Sequence, residues 1–381
     1  MKVGHFTAIK ETGERIETSQ TRKIEGSERE KSKHQSRFKR LLFILTLGLI
    51  LSITFSVMLG PVPISMLTVW KIVASQLPFV GDTVPVNWSL AQQNIIWELR
   101  FPRALLGGIV GAGLAVAGVG IQALVRNSLA DPYILGVSSG ASVGATLVIL
   151  FGALQFFGQY ALSLAAFLGA FLSVVFVYTF ARVGGQISTI RLLLAGIAIS
   201  MILGAVTNVI VLSAPEEEGI RGALYWMMGS LAGANWTILP IPAIAVVVVF
   251  VFLLYQSRTL NLILMGEDTA ATLGINVGAF RKVLIVVISL LTGVLVAVSG
   301  AIGFVGLMVP HMIRLLVGSE HRKVLPISAL FGAVFMIWAD IVARLVVAPE
   351  ELPIGVVTAL CGGPFFIWLL RRSSYTFGGR S

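Results

Sequence analysis

The chain has 381 residues, of which 56% are hydrophobic and only 12% are charged, and its formal net charge is +10. A soluble domain carries about 25% charged residues, so a soluble fold of this composition would lack the polar surface it needs. The composition therefore excludes a soluble globular protein and indicates a polytopic helical membrane protein, because each spanning helix needs about 20 mostly apolar residues.

Residues 1–40 are the most highly charged segment, with eleven Lys/Arg, six Asp/Glu and no apolar period. This composition predicts a disordered basic tail on the cytoplasmic side of the membrane. Basic tails also bind nucleic acid, but no nucleic-acid-binding module accompanies this one, so no such partner is expected. The charged lead and the apolar run after it are both too long for a cleavable signal peptide.

Ten apolar runs follow and predict an all-α transmembrane domain over residues 41–372, with about ten transmembrane helices. The runs cover residues 41–60, 104–125, 134–153, 159–181, 191–212, 238–256, 283–301, 303–317, 325–346 and 354–370. Between the first two runs, a long hydrophilic loop is predicted for residues 61–103, with a surface helix in "ISMLTVWKIVASQL". Residues 373–381 are predicted to be a short cytoplasmic tail.

The lysines and arginines between the runs fall mostly in alternate loops, which predicts cytoplasmic N- and C-termini. Arg100, Arg103 and Arg221 are the exceptions, since they lie on the side where acidic residues predominate. Cations on the unexpected side indicate a role other than setting the topology.

Two short segments resemble each other and suggest a duplicated architecture. "GAGLAVAG" at 111–118 and "GVLVAVSG" at 293–300 share the pattern G-x-x-x-A-V-[AS]-G. They lie on runs predicted to cross in opposite directions, as two inverted repeats of five helices each would require. The alternative is that small residues four positions apart simply let helices pack closely.

The segment "GVSSG" at 136–140 matches G-x-S-x-G, the nucleophile elbow of serine hydrolases. An elbow needs a preceding strand, a histidine and an acid, and here no strand precedes the serines and His311 has no acid beside it. Close helix packing explains Ser138, Ser139 and Gly140 better than an intramembrane hydrolase does. No G-x-x-x-x-G-K-[ST] motif occurs, so ATP-driven work would need a partner subunit.

The segment "GEDTAATLGI" at 266–275 predicts a short helix on the cytoplasmic side. Glu267 and Asp268 favour its first turn through the helix dipole, and Gly274 is a suitable C-terminal stop. A small, mostly apolar helix between charged segments suits docking into a groove on another protein. An ordinary helix at the membrane interface is the alternative.

Seven segments occur along the chain in this order: "LRFPR" (99–103), "NSLADPYILGVSSGAS" (127–142), "RLLLAGIAIS" (191–200), "GEDTAATLGI" (266–275), "GFVGLMVPHMIRLLVG" (303–318), "ADIVARL" (339–345) and "ELPIGVVTALCGGPFFIWLL" (351–370). Together they resemble the FecCD-type permeases of ABC importers for iron(III)-siderophores, haem and cobalamin. The resemblance covers about residues 41–372 and leaves the N-terminal tail out.

The resemblance implies a multi-pass subunit of the bacterial cytoplasmic membrane that pairs with a second permease, either the same chain or a homologous one. Two cytosolic ABC ATPases would drive the pair and bind ATP and Mg, and an extracytoplasmic binding protein would deliver the cargo. The chain itself is expected to be a transport subunit, with no enzymatic activity, cofactor or bound metal.

The favoured cargo is an iron(III)-siderophore complex, with cobalamin and haem as alternatives. An ion-coupled secondary transporter is a further alternative from a different class. It would need intramembrane acids or histidines for ion coupling, and the chain offers little beyond Asp340. A structural role for Asp340, as a partner of Arg344 four residues later, is the simpler interpretation.

The resemblance also assigns roles to three sets of residues. The ATPase-coupling helix would contain Gly266, Glu267, Asp268, Ala271, Leu273 and Gly274. The arginines that dock the binding protein would be Arg100, Arg103 and Arg344. The cytoplasmic gate would be formed by Asn127 and Leu129, facing Thr189 and Ile190. The sequence departs from the family at Ser128, usually proline, and at Ile190, where a small polar residue is common.

Overall fold

The structure, a computed structural model, describes residues 36–60, 62–78, 81–184 and 186–372. The chain divides into two units, Met1–Ile44 and Leu45–Ser381, and the account below concerns the second. The tails predicted for residues 1–35 and 373–381 lie outside the described residues. Residues 36–40, also predicted to belong to the tail, are helical instead.

The described part of the chain is almost wholly helical, as its composition predicts. The helices are α1 (Ser36–Met58), α2 (Met66–Ser75), α3 (Leu90–Val125), α4 (Val137–Phe151), α5 (Ala161–Ala181), α6 (Thr189–Leu212), α7 (Glu217–Met227), α8 (Pro240–Tyr255), α9 (Ser257–Met265), α10 (Glu267–Thr272), α11 (Val277–Ser299), α12 (Val305–Val317), α13 (His321–Leu345) and α14 (Ile354–Arg372). Short 3₁₀ turns cover Gly81–Thr83, Pro132–Leu135 and Gln155–Tyr160, and the strands β1 (Arg182–Val183) and β2 (Gln186–Ile187) pair antiparallel.

Each of the ten predicted apolar runs coincides with a helix. Among the described residues, seven helices are long and apolar enough to span a membrane, and the pair α8–α9, bent by 58°, makes an eighth candidate. The remaining two, α4 and α12, have 15 and 13 residues. Each is the third run in its half of the chain, and short segments at corresponding positions are typical of inverted-repeat transporters. The polytopic all-α prediction is confirmed, and these two helices support the predicted repeat.

Helix α3 forms the centre of the second unit. About 78% of its apolar window is buried, against 17% for α6. It begins at Leu90 rather than at residue 104, so the prediction of a loop through residue 103 is wrong for its last part. The helix can start earlier because Ser89 and Gln92 form a capping box, and a π-helical turn at Ile95–Arg100 leads into the turn that contains Pro102. Pro102 is tolerated there because it lies in the first turn of the α-helical segment Phe101–Val125, directly after the π-helical turn.

The helices approach each other closely where glycines face glycines. A Cβ atom on Gly111 would collide with the carbonyl of Gly332, and one on Gly118 with the carbonyl of Gly306. The same holds for Gly140 of the "GVSSG" segment, which packs against the carbonyl of Gly169. Close packing by small residues is therefore confirmed for this segment.

We expect Gly118→Ala to lower the free energy of unfolding by about 1–3 kcal/mol, because neither backbone can yield without moving a helix. The matched control is Gly204→Ala in α6, where a new Cβ meets nothing within 4 Å. That change should be neutral or add up to about 1 kcal/mol through helix propensity. Thermal unfolding of the purified chain in detergent measures both, and equal midpoints for the two variants would contradict the close packing.

Helix α9 was missed by the sequence analysis, which left its residues in an inter-span segment. It is amphipathic and short, and it buries Leu260 and Ile263. Its Asn261 side chain accepts a hydrogen bond from the backbone N–H of His321 at 3.1 Å, which fixes α9 to the start of α13. Helix α2, by contrast, lies inside the predicted surface helix, and its Ile72 packs with Val57 and Ile96.

Candidate functional site

The predicted coupling helix is present as α10, six residues long. Glu267 and Asp268 occupy its first turn, and Gly266 and Gly274 on either side have φ of 132° and 85°, which favour glycine. Ala270 is fully buried, whereas Leu273 is 62% exposed and Ala271 beside it is also exposed. The helix therefore presents a small apolar face outward while its other face is fixed to the protein.

Glu267 connects α10 to two other elements. Its carboxylate forms an ion pair with Arg281 at the start of α11, and a second nitrogen, from Arg126, lies 4.0 Å away. Arg126 is the C-cap of α3 and has a left-handed φ of 54°. Glu267 therefore contacts residues of the same chain and links α10 to the end of α3 and the start of α11.

The predicted gate segment forms a compact irregular turn between α3 and α4. The Asn127 side chain accepts a hydrogen bond from the N–H of Leu129 at 2.9 Å. Asp131 accepts from the N–H of Tyr133 at 2.8 Å and so starts the 3₁₀ turn, which ends at Gly136 with φ 75°. Burial raises the pKa of the Asp131 carboxyl to about 6. These local hydrogen bonds satisfy backbone N–H groups between α3 and α4, where the chain is not α-helical around Pro132.

Buried polar side chains that the sequence analysis did not single out anchor this segment. Gln122 donates to the carbonyl oxygens of Ala130 at 3.4 Å and Leu307 at 3.1 Å, and its own side-chain oxygen accepts from Arg314. Tyr133 bonds both the carbonyl and the N–H of Ile302, at 3.1 and 3.0 Å. A glutamine and an arginine inside apolar helices were the available signal.

The other half of the predicted gate lies at the start of α6. Ser188 caps this helix by accepting from the N–H of Arg191, and Ile190 is 70% exposed. Within the described ranges, no hydrogen bond joins Asn127 or Leu129 to Thr189 or Ile190. The structure shows packing two turns further along, where Gly196 lies against the carbonyl of Ile134. Direct gate contacts across this gap stay a prediction.

Two of the three predicted docking arginines are buried. Arg100 is 7% exposed and donates to the carbonyls of Val57 at 3.0 Å and Val62 at 2.8 Å. Arg344 is 6% exposed and donates to the backbone and side-chain oxygens of Ser56 at 3.1 and 3.0 Å. Both guanidinium groups therefore satisfy carbonyl groups at the C-terminal end of α1.

The third arginine, Arg103, lies in an ion-pair network. It contacts Asp340 at 2.9 Å and the carboxylate of Glu351 at 2.8 Å, and Asp340 in turn contacts Arg344 at 3.0 Å. The Asp340 side chain is 2% exposed, whereas that of Glu351 is 33% exposed. The geometry supports the structural role predicted for Asp340.

A comparison with protein families settles what kind of protein carries these features. A model described as the FecCD transport family matches residues 46–372. The chain belongs to the FecCD transport family. It is a multi-pass ABC importer permease, which favours transport over the hydrolase alternative.

Named FecCD relatives include two kinds of importer. The permease is 42% identical over 279 residues to the cobalamin import system permease protein BtuC of Halobacterium salinarum, covering 72% of this chain and 74% of that protein. It is 39% identical over 312 residues to the Fe(3+)-citrate import system permease protein YfmD of Bacillus subtilis, covering 80% and 85%.

A solved structure matches the fold of this FecCD permease. It is described as an inward-facing conformation of a metal-chelate type ABC transporter, and it aligns with a TM-score of 0.76 at 34% identity. The alignment covers 88% of this chain and all of that one. The likeness therefore extends over most of this chain.

Proposed function

We propose that this permease moves an iron(III)-siderophore complex into the cytoplasm, as one of two permeases in an ABC importer. Two cytosolic ATPases would bind ATP and Mg and dock on α10, and an extracytoplasmic protein would deliver the chelate. The observation that carries this proposal is the outward apolar face of α10, held in a fixed orientation by Glu267. A small apolar helix face of this kind suits a groove on a partner protein.

A second cargo, cobalamin, is favoured by a specific observation. The relative from Halobacterium salinarum is named for cobalamin and is 42% identical, against 39% for the Fe(3+)-citrate relative. The iron relative, however, covers more of this chain, 80% against 72%. Haem fits the same family-level resemblance, but neither of these two relatives carries its name.

The contacts of Glu267 suggest how α10 would act on the gate. Arg126 immediately precedes Asn127, and its guanidinium lies 4.0 Å from the Glu267 carboxylate. A shift of α10 under ATPase closure would therefore pull on the residue next to the gate segment. We propose that this contact, together with movement of Thr189 and Ile190 at the start of α6, opens the cytoplasmic end by alternating access.

Docking of the binding protein on Arg100, Arg103 and Arg344 stays a prediction, and we propose that Arg103 makes the direct contact. Arg103 is the member of the set paired with a partly exposed carboxylate, Glu351. An acidic group on the binding protein would compete with Glu351 for Arg103, and such charge pairs fix register and speed encounter. Arg100 and Arg344 would support that surface by holding the end of α1.

Uptake assays test the proposal. Cells lacking this permease should lose accumulation of one radiolabelled ferric siderophore, and the wild-type gene should restore it. A partner ATPase with its P-loop lysine replaced should abolish the restored uptake. Loss of cobalamin uptake alone would replace the siderophore proposal, and uptake that follows an ion gradient without the ATPase would overturn the coupling to ATP.

A further inference from the structure

A narrow apolar groove lies between α5 and α11, away from the coupling, gating and docking residues. It contains a cavity of about 340 Å³. Its walls include Phe167, Phe171 and Tyr178 of α5 and Val286, Ser289 and Gly293 of α11. A Cβ on Gly293 would lie 3.5 Å from the Phe167 ring, so the missing side chain leaves room there.

The length of this cavity matches one leaflet of a bilayer. Phe167 and Tyr178 are eleven residues apart on α5, which corresponds to about 16 Å along the helix. The hydrocarbon core is about 30 Å thick, so the cavity covers about half of it. A second cavity of about 330 Å³ shares Phe167 and continues toward Tyr160. The first cavity therefore belongs to the leaflet on the Tyr178 side.

Two basic residues follow the cavity lining at its Tyr178 end, one close to Tyr178 and the other close to Val286. Arg182 is the first residue after α5, four residues beyond Tyr178, and Lys282 precedes Val286 by one turn on the same face of α11. Both are exposed, and neither belongs to an ion pair within the ranges that the structure describes. Neighbouring Arg281, in contrast, pairs with Glu267. The positive-inside rule assigns this end to the cytoplasm.

We propose that the groove binds an anionic glycerophospholipid of the cytoplasmic leaflet. Its phosphate lies between Arg182 and Lys282, and one acyl chain extends along Phe171 toward Gly293. Basic sites between transmembrane helices on the cytoplasmic side suit such headgroups, and tyrosine is enriched at this depth. A helix of the second permease fits less well, because an apolar helix face would leave the two cations without a counter-ion.

Native mass spectrometry of the full chain in detergent tests the site, with palmitoyl-oleoyl phosphatidylglycerol titrated against the zwitterionic phosphatidylcholine of the same chains. Arg182→Ala combined with Lys282→Ala removes the headgroup contacts. Val286→Trp fills the groove from a position that is 48% exposed, so it leaves the core intact. Arg191→Ala combined with Arg322→Ala removes two exposed cations elsewhere and is the matched control.

Wild type should bind phosphatidylglycerol more tightly than phosphatidylcholine. The double alanine variant should weaken that binding roughly 30-fold, since each cation near the surface is worth about 1 kcal/mol. Val286→Trp should weaken the binding of both lipids, and the control double variant should weaken the binding of neither. Equal binding by wild type and the double variant, or an equal loss in the control, would refute the site. If Val286→Trp leaves lipid binding unchanged but dissociates permease dimers, the second permease covers the groove and the proposal fails.

Discussion

Replacing Asp340 with alanine is expected to lower the free energy of unfolding by about 3–5 kcal/mol, the largest loss of stability we predict for one substitution. Asp340 is 1% exposed, and its carboxylate contacts both Arg103 at 2.9 Å and Arg344 at 3.0 Å. Removing it leaves two guanidinium groups in a buried setting without their shared acid. Thermal unfolding in detergent and the amount of protein in the membrane both measure the effect.

The matched control removes the other carboxylate of the same network. Glu351→Ala takes one partner from Arg103, but the Glu351 side chain is 33% exposed, so water replaces much of what is lost. A loss of about 1 kcal/mol or less is expected there. Combining Asp340→Ala with Arg344→Met should cost less than the sum of the two single changes, because the second removes a charge stranded by the first. Additive losses would show that the carboxylate is not what holds Arg344.

Periodicity and hydropathy could predict most of the helical architecture, because a bilayer imposes one simple rule on length and polarity. The helical segments that were not predicted are those whose residues are too polar to resemble a membrane span. Helix α9 is amphipathic and continues α8 after a 58° bend, so its polar residues resemble those of a loop in a hydropathy scan. The early start of α3 depends on a capping box at Ser89 and on a π-helical turn, both of which are local hydrogen-bonding details.

The candidate site was predictable as segments but not as contacts. The short helix at Glu267 and the irregular turn at Asn127 follow from acidic residues, glycines and prolines at fixed offsets. Sequence alone could not show that Glu267 pairs with Arg126 and Arg281, since both partners come from other elements. Nor could it show that Arg100 and Arg344 face the end of α1, because the acceptors there include backbone carbonyls, which any residue supplies.

Replacing Leu273 with arginine should abolish ATP-dependent uptake while leaving the permease folded. Leu273 is 62% exposed at the end of α10 and forms part of the apolar face proposed to enter the ATPase groove. An arginine there would place its charge against the proposed apolar groove of the ATPase, where water cannot solvate it. Residues at such central interface positions are worth about 2–4 kcal/mol of binding free energy. That corresponds to at least a roughly 30-fold weaker complex. Co-purification with the ATPase and uptake of the labelled chelate measure the two effects.

Leu212→Arg is the matched control. Leu212 is 86% exposed and is the last residue of α6, at the end away from the predicted cytoplasmic face. It introduces the same charge in place of the same side chain, and ATPase co-purification should persist.

Glu267→Arg distinguishes docking of the ATPase on α10 from the ion pairs that hold α10 within the permease. It removes the ion pair to Arg281 and repels Arg126, so it should lower the thermal midpoint of the permease alone, which Leu273→Arg should not. If Leu273→Arg keeps both ATPase binding and uptake, α10 is not the docking element, and Glu267 serves only to fix α10 to α3 and α11.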